Sequence, residues 1–232
     1  MRILGLIPAR GGSKGIPNKN SKKLLGKPLL NYTIESARQS KLLSEVVFSS
    51  EDDKLITLAK SSGVKVPFVR PVELATDTAS SIDVVKHAVL EMSKQGQEFD
   101  AVCLLQVTNP FRSATLIDEA IAKFIEGKTD SLISVLEVPH EYNPHWVFTK
   151  NSNKYLELAT RDNEIIKRRQ DLPKAYYRDG SIYLTKTEVL LNQNSLYGES
   201  INYIVADKNQ HVNIDSEEDW AKAEIIAKSI VD

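Results

Sequence analysis

Residues 3–20 read Ile-Leu-Gly-Leu-Ile-Pro-Ala-Arg-Gly-Gly-Ser-Lys-Gly-Ile-Pro-Asn-Lys-Asn, a short apolar run that breaks into a glycine-rich basic loop. Residues 3–9 are almost continuously apolar, as a strand buried on both faces must be, and Gly11 and Gly12 open its C-terminal end. Ligands of open α/β sheets sit at such strand ends. Gly11, Gly12 and Gly15 let the backbone come close to a ligand and turn its N–H groups toward an anion, while Arg10, Lys14 and Lys19 bring positive charge to the same place. A polyphosphate fits that combination. A Walker loop requires Gly-Lys followed by Ser or Thr, and the dinucleotide fingerprint requires Gly-x-Gly-x-x-Gly; neither spacing occurs here. On composition alone the stretch is also an ordinary solvated turn between a strand and a helix.

Outward from this stretch, strand and helix alternate. Leu30, Thr33, Ile34 and Ala37 recur at i, i+3, i+4 and i+7 behind Pro28, which a first helical turn tolerates, and predict an amphipathic helix. Residues 45–49 read as a strand, 52–62 as a helix showing Leu55, Leu58 and Ala59 on one face, and 64–69 as another strand. Val85, Ala88, Val89 and Met92 mark the next helix, with Ser80, Ser81 and Asp83 near its start. His87 within it has no partner in the sequence and reads as packing or surface. Residues 99–106 are the strongest buried-strand candidate. Residues 115–124 follow as a helix with Ile117, Ala120, Ile121 and Phe124 inward, and 132–138 as one more strand. Such alternation implies right-handed βαβ crossovers, hence an α/β fold with a mainly parallel sheet and helices on both faces.

From Pro139 the stretch Pro-His-Glu-Tyr-Asn-Pro-His-Trp has neither period, and short strands are expected at 146–149 and 155–159. A subdomain inserted at about residues 139–175 into a single domain of 232 residues is the reading that follows. A hairpin folded back on its own domain is the other. The chain returns through an alternating strand over 176–184 and closes with a helix bearing Trp220, Ala223, Ala227 and Ile230, capped by Ser216 with Asp219.

With 30 basic against 31 acidic residues there is no overall field to attract nucleic acid, so anions must be held by local clusters. The single cysteine, Cys103, lies in the apolar run 101–105, which excludes a disulfide framework or thiolate metal cluster and predicts a buried structural thiol. The opening apolar run is too short for a signal segment, and no stretch reaches the roughly 20 residues of a membrane span. A cytoplasmic protein without nucleic-acid or membrane partners is expected.

Pro8-Ala9-Arg10-Gly11-Gly12-Ser13-Lys14-Gly15, with Asn18-Lys19-Asn20 behind it, resembles the opening motif of the acylneuraminate (sialic acid) cytidylyltransferases, which couple CTP to a nine-carbon acidic sugar. The resemblance implies a Rossmann-like nucleotide-diphospho-sugar transferase fold, a magnesium or manganese cofactor, and a homodimer built through the inserted arm, with Tyr142, Trp146 and Phe148 as interface material. It assigns Ala9, Arg10, Gly11, Gly12, Ser13, Lys14 and Asn20 to the nucleotide, with Arg10, Lys14 and Lys19 neutralising phosphate. The segment from Arg70 to Ser81 resembles the family's Arg-Pro-x-Glu-Leu-Ala-x-Asp-Thr-Ala-Ser, which implies nucleotide contacts from Arg70, Ser80 and Ser81; on the residues alone Ser80 and Ser81 are equally helix caps.

Gln106-Val-Thr-Asn109-Pro-Phe-Arg112 is similar to the family's Gln-Pro-Thr-Ser-Pro-x-Arg, with Val107 for the proline and Asn109 for the serine. It implies that Gln106 bonds the acidic sugar and orients it for reaction. Arg112 alternatively pairs with Asp118 on the surface. Arg168-Arg169-Gln170-Asp171 with Tyr183 resembles the acceptor-sugar segment, so Arg169, Gln170, Asp179 and Tyr183 are implied sugar contacts, and Asp179 stands where the family more often has Asn. A guanidinium fork matches a carboxylate with two bonds; a solvated basic run over 167–169 is the other reading. Val212-Asn213-Ile214-Asp215 resembles the Asp-Ile-Asp metal motif, alternate residues of an extended strand pointing one way, with Asn213 in place of the first acid. Asn213 is then either a ligand beside Asp215 or the holder of a metal-bound water. The implied activity is nucleotidyl transfer from CTP to N-acetylneuraminate or to legionaminic, pseudaminic or another nonulosonic acid, with an octulosonate enzyme more distant. A nucleotide-binding protein without catalysis is the rival class.

Overall fold

The computed structural model describes residues 1–231, which fall into two compact units, residues 1–134 with 179 onward, and residues 135–178. In chain order the elements are β1 (Ile3–Pro8), a hairpin of β2 (Lys23–Leu24) and β3 (Lys27–Pro28), α1 (Leu29–Gln39), β4 (Glu45–Ser49), α2 (Asp53–Ser61), α3 (Ser81–Lys94) and β5 (Ala101–Leu104). Then come α4 (Ala114–Gly127), β6 (Ser131–Glu137), β7 (Phe148–Lys150), β8 (Leu156–Leu158), β9 (Tyr176–Lys186), α5 (Thr187–Asn192), β10 (Ile201–Val205) and α6 (Glu217–Val231). The six-stranded sheet has the order β10-β6-β9-β5-β1-β4, with β1 parallel to both β4 and β5 and β9 antiparallel to β5.

Successive strand side chains face opposite ways, so β1 divides its apolar run between two layers. Ile3 and Ile7 join Leu30 and Ile34 of α1, Ile121 and Phe124 of α4, and Trp220 and Ala223 of α6. Leu4 and Leu6 join Val85, Ala88 and Met92 of α3 and Leu190 of α5. Helices therefore cover both faces, and the α/β class with a mostly parallel central sheet stands as the sequence implied. β5 repeats the division, Cys103 facing the first layer and Val102 and Leu104 the second.

Three expectations are corrected. Residues 64–69 form no strand: only a parallel bridge between Val47 and Lys65 exists, because Pro67 has no N–H to continue a ladder. Ile230 is exposed, and Ile226 takes its expected place on the buried face of α6. Arg112 is not a surface residue paired with Asp118. It is buried, donating to the carbonyls of Ser181 and Gln106 and the hydroxyl of Thr33, while Asp118 accepts from Ser40 and the backbone of Lys41 and Leu42. The hairpin β2–β3, α5 and β10 carry too few residues or too weak a period to be read in advance.

In the second unit, β7 and β8 pair antiparallel from Phe148–Leu158 to Lys150–Leu156. Irregular backbone is tied by side chains: Asn143 donates to the Pro173 carbonyl at 2.9 Å, and the Trp146 indole to the Ile166 carbonyl at 2.7 Å. Trp146 is thus engaged inside its own unit, whereas Tyr142, Phe148, Tyr155 and Leu156 are exposed.

Burial pushes the Cys103 thiol up to about 12, an effect that the nearby Arg112 charge only partly offsets. A thiol reagent at pH 7 is therefore expected to leave Cys103 unlabelled in the folded protein and to label it fully in denaturant; prompt labelling without denaturant contradicts this packing.

Candidate functional site

The neighbouring parallel strands β4, β1 and β5 release their C-terminal ends side by side. From β1 the chain crosses to β4 on one side and later to β5 on the other, which makes the crevice above β1 a topological switch point. Arg10 follows β1, Glu51 follows β4 and Gln106 follows β5. The opening loop is held by three ties. Gly11 N–H donates to Glu51 Oε1 at 2.7 Å, Asn20 Nδ2 donates to the Arg10 carbonyl at 2.9 Å, and Lys19 Nζ donates to the Ile214 carbonyl at 2.5 Å and Asp215 Oδ1 at 3.0 Å. Gly15 passes so close to the C-terminal segment that a Cβ there would lie 1.9 Å from the Asp215 carbonyl oxygen, so only glycine closes the loop. The Gly11 N–H expected for an anion is taken by Glu51.

Two cavities share Pro8, Ala9 and Arg10. The larger, about 420 Å³, also takes Ser13, Lys14, Lys19, Asn20, Gln106 and Asp215. The smaller, about 240 Å³, is lined further by Arg70, Leu74, Asp77 and Ser81. Asp77 bridges the cradle, with one oxygen 2.7 Å from Arg10 and the other 2.7 Å from Lys14; the bonds from Lys14, then Arg10, hold its carboxyl below the usual range. Arg70 is buried, bonding the Ala9 carbonyl at 2.7 Å and Glu51 Oε2 at 2.8 Å, and its Nε has no partner.

Residues 212–215 form no strand, yet they keep the alternation expected of one. Val212 and Ile214 are still buried and Asn213 and Asp215 still exposed, because the backbone stays extended beside the turn after β5, with Ile214 N–H on the Thr108 carbonyl at 2.9 Å. Asn213 donates to Asp215 Oδ2 at 2.6 Å. No group of three His, Cys, Asp or Glu side chains stands together among the described residues. The oxygen donors lining the larger cavity are the Asp215 carboxylate and the Gln106 amide, while Asn213 turns its NH2 to Asp215 and accepts from Asn109 at 3.3 Å. A hard divalent cation accepts one carboxylate together with phosphate and water oxygens, so this set fits magnesium or manganese.

Other expected residues lie elsewhere. Ser80 is the N-cap of α3, exchanging bonds with Asp83, while Ser81 lines the smaller cavity. Asp179, which the resemblance implies as a sugar contact, lies inside the protein. Its carboxylate is fully buried, accepting from the Ser181 N–H and from the hydroxyls of Ser134 and Ser181. Tyr183 is buried in the second core layer. Arg169 and Gln170 are exposed on the 3-10 turn Arg169–Asp171 of the second unit, where Asp171 pairs with Arg168. His87 packs edge-on against Phe68, and burial lowers its pKa. The counter-charges Glu51 and Asp77 were not foreseen. Glu51 had a signal, since it follows an expected strand of the parallel sheet; Asp77 had one as the Asp of the Arg-Pro-x-Glu-Leu-Ala-x-Asp-Thr-Ala-Ser segment, which does not say what charge it meets.

The cytidylyltransferase family profile matches residues 4–224. The chain is 36% identical over 228 residues to a pseudaminic acid cytidylyltransferase of Campylobacter jejuni, covering 98% of this chain and 97% of that one. It is 35% identical to the CMP-N,N'-diacetyllegionaminic acid synthase of Legionella pneumophila, over 97% and 95% of the two chains. It is 33% identical to an Escherichia coli N-acylneuraminate cytidylyltransferase, over 96% of this chain and 51% of that longer one. A solved structure of CMP:2-keto-3-deoxy-manno-octonic acid synthetase complexed with CTP shares the fold at a TM-score of 0.74 and 17% identity, covering 99% of this chain and all of that one.

Removing the Asp77 charge frees Arg10 and Lys14 for an external anion. Because both ion pairs are partly exposed, Asp77→Asn is expected to tighten pyrophosphate binding by only about two- to fivefold. Calorimetric titration reads this directly, and weaker binding would mean that Asp77 organises the cations rather than competing for them.

Proposed function

The chain belongs to the cytidylyltransferase family, and from that premise we propose that it joins CTP to a nonulosonic acid, releasing pyrophosphate. The observation that carries this reading is the larger cavity, where cations from residues 10, 14 and 19 converge with the oxygen donors of Gln106 and Asp215 at the ends of two parallel strands. The acceptor is assigned as a class: identities of 36%, 35% and 33% to enzymes named for three such acids do not select one.

In the proposed reaction the anomeric hydroxyl oxygen of the acid attacks the α-phosphorus of CTP in line. The bond from that phosphorus to the α,β-bridging oxygen breaks, pyrophosphate leaves with the electron pair, and the hydroxyl proton passes to solvent. Positioning and charge neutralisation supply most of the acceleration in such transfers. Arg10 and Lys14 exchange Asp77 for the β- and γ-phosphates, and Asn20 holds the Arg10 carbonyl so that the loop keeps its course. The smaller cavity suits the cytidine, with Ser81 and Arg70 offering donors beside the apolar wall of Leu74, Val84 and Leu104. Gln106 orients the acceptor; within the second unit, the exposed guanidinium of Arg169 has the two-bond geometry that suits a carboxylate. Asp215, assisted by Asn213, would hold the magnesium or manganese ion. When bound, that ion supplies positive charge to the phosphates.

The second unit is read as a dimerisation arm, since its exposed Tyr142, Phe148, Tyr155 and Leu156 are side chains that an interface core favours. No helix among the described residues is long and apolar enough to cross a membrane, and a cytoplasmic enzyme is the proposed setting.

Pyrophosphate release measured with CTP, ATP, GTP and UTP against a panel of nonulosonic acids is expected to show turnover with CTP and one or more of the acids. No release with any pair, despite CTP binding, would favour a non-catalytic nucleotide-binding protein. Light scattering at micromolar concentration is expected to give twice the chain mass, and a monomer would remove the arm's proposed role.

A further inference from the structure

Asn109 has no role in the reaction as set out above, yet its side chain begins a series of contacts that ends on Asp215. It sits in the turn after β5 and is 2% exposed. Its Nδ2 donates to Asn213 Oδ1 at 3.3 Å, and Asn213 Nδ2 donates to Asp215 Oδ2 at 2.6 Å. Elementary chemistry dictates that direction. An ionised carboxylate only accepts, so Asn213 must turn its NH2 toward Asp215, and its oxygen is left for a donor, which Asn109 supplies. Lys19 holds the other carboxylate oxygen at 3.0 Å. Each oxygen of Asp215 is thereby engaged by its own donor, and rotating the carboxylate would break both bonds.

Asn109 is itself held in place. Gly180, at φ +85°, passes so near that a Cβ on it would lie 3.0 Å from Asn109 Nδ2. The backbone bond from Ile214 to Thr108 keeps the two segments in register. Asn109 Oδ1 is buried without a donor, a condition native proteins rarely keep without a reason, and the bond its NH2 makes to Asn213 is the one it visibly serves. An amide at 213 has a further consequence. It braces Asp215 without adding a second negative charge 2.6 Å away, a pair that would repel until a cation arrived.

We propose that Asn109 is a positioning residue which, through Asn213, aims the Asp215 carboxylate and so sets the affinity for the divalent cation. The proposal rests on the cytidylyltransferase reading and deepens it. Its test is a titration of Mn²⁺ into protein premixed with CTP and no acceptor, with free Mn²⁺ followed by paramagnetic resonance. Asn109→Ala and Asn213→Ala are each expected to weaken Mn²⁺ binding roughly tenfold, the scale of losing a residue behind a metal ligand. The double variant should lose no more than either single one, because both break the same relay. Asn109→Ser, which keeps a short donor, should fall between wild type and alanine, and it serves as the test if the alanine variant does not fold. Unchanged Mn²⁺ affinity in a folded Asn109 variant, or losses that add in the double variant, would overturn the proposal. Calorimetry with CTP and no metal separates this from the parent reading: wild-type protein that fails to bind CTP removes that reading, whereas intact CTP binding with unaltered Mn²⁺ affinity removes only the relay.

Discussion

The site depends on one buried charge. Lys19 is largely withdrawn from water, and an ammonium in that position is tolerable only with partners to replace its hydration. Its partners are the Ile214 carbonyl and the Asp215 carboxylate, so the requirement of a residue near the start of the chain is met by residues near its end. The same junction brings Gly15 against the Asp215 carbonyl, where no side chain would fit. The glycine-rich loop is consequently a closed bracket rather than a free surface turn. Its remaining cations, Arg10 and Lys14, are held where they can meet an anion.

A cradle of positive charge is costly to hold together when empty, and the structure offsets that cost from within. Asp77 sits between Arg10 and Lys14, and Glu51 sits between Arg70 and the Gly11 N–H. The two acids differ in kind. Arg70 is buried and Glu51 only partly exposed, and together they act as a fixed strut that shapes the loop. Asp77 is exposed and bonded only at its edges, so a phosphate can displace it at small cost. The division between scaffold and exchangeable counter-ion follows from solvent access alone.

The buried Arg112 stabilises the same strand end by gathering the Gln106 and Ser181 carbonyls and the Thr33 hydroxyl. Burial lowers its pKa to about 10, which still leaves it charged at neutral pH. Asp179 works similarly, accepting three bonds within its own neighbourhood and anchoring β9 at Gly180, which lies against Gln106 and Asn109.

The sequence alone determined the layers of this protein, because burial on two faces demands an unbroken apolar run and burial on one demands a period, and both patterns are local. β1, β4, α2 and α3 were legible within a residue or two for that reason, and the segment at 64–69 failed where Pro67 withheld a single N–H. The opening motif likewise marked the strand end where Arg10, Lys14 and Lys19 line one cavity. What the tertiary structure alone decided is which charges face a ligand and which are spent internally. Arg112 and Asp179 read as site or surface residues and are buried braces, Asp77 read as loop and is the counter-ion, and Asn109 read as a departure from a motif and bonds another departure, Asn213. Pairings between residues far apart in sequence leave no period behind, since they depend on where the sheet sets its strand ends and not on the spacing of residues along the chain.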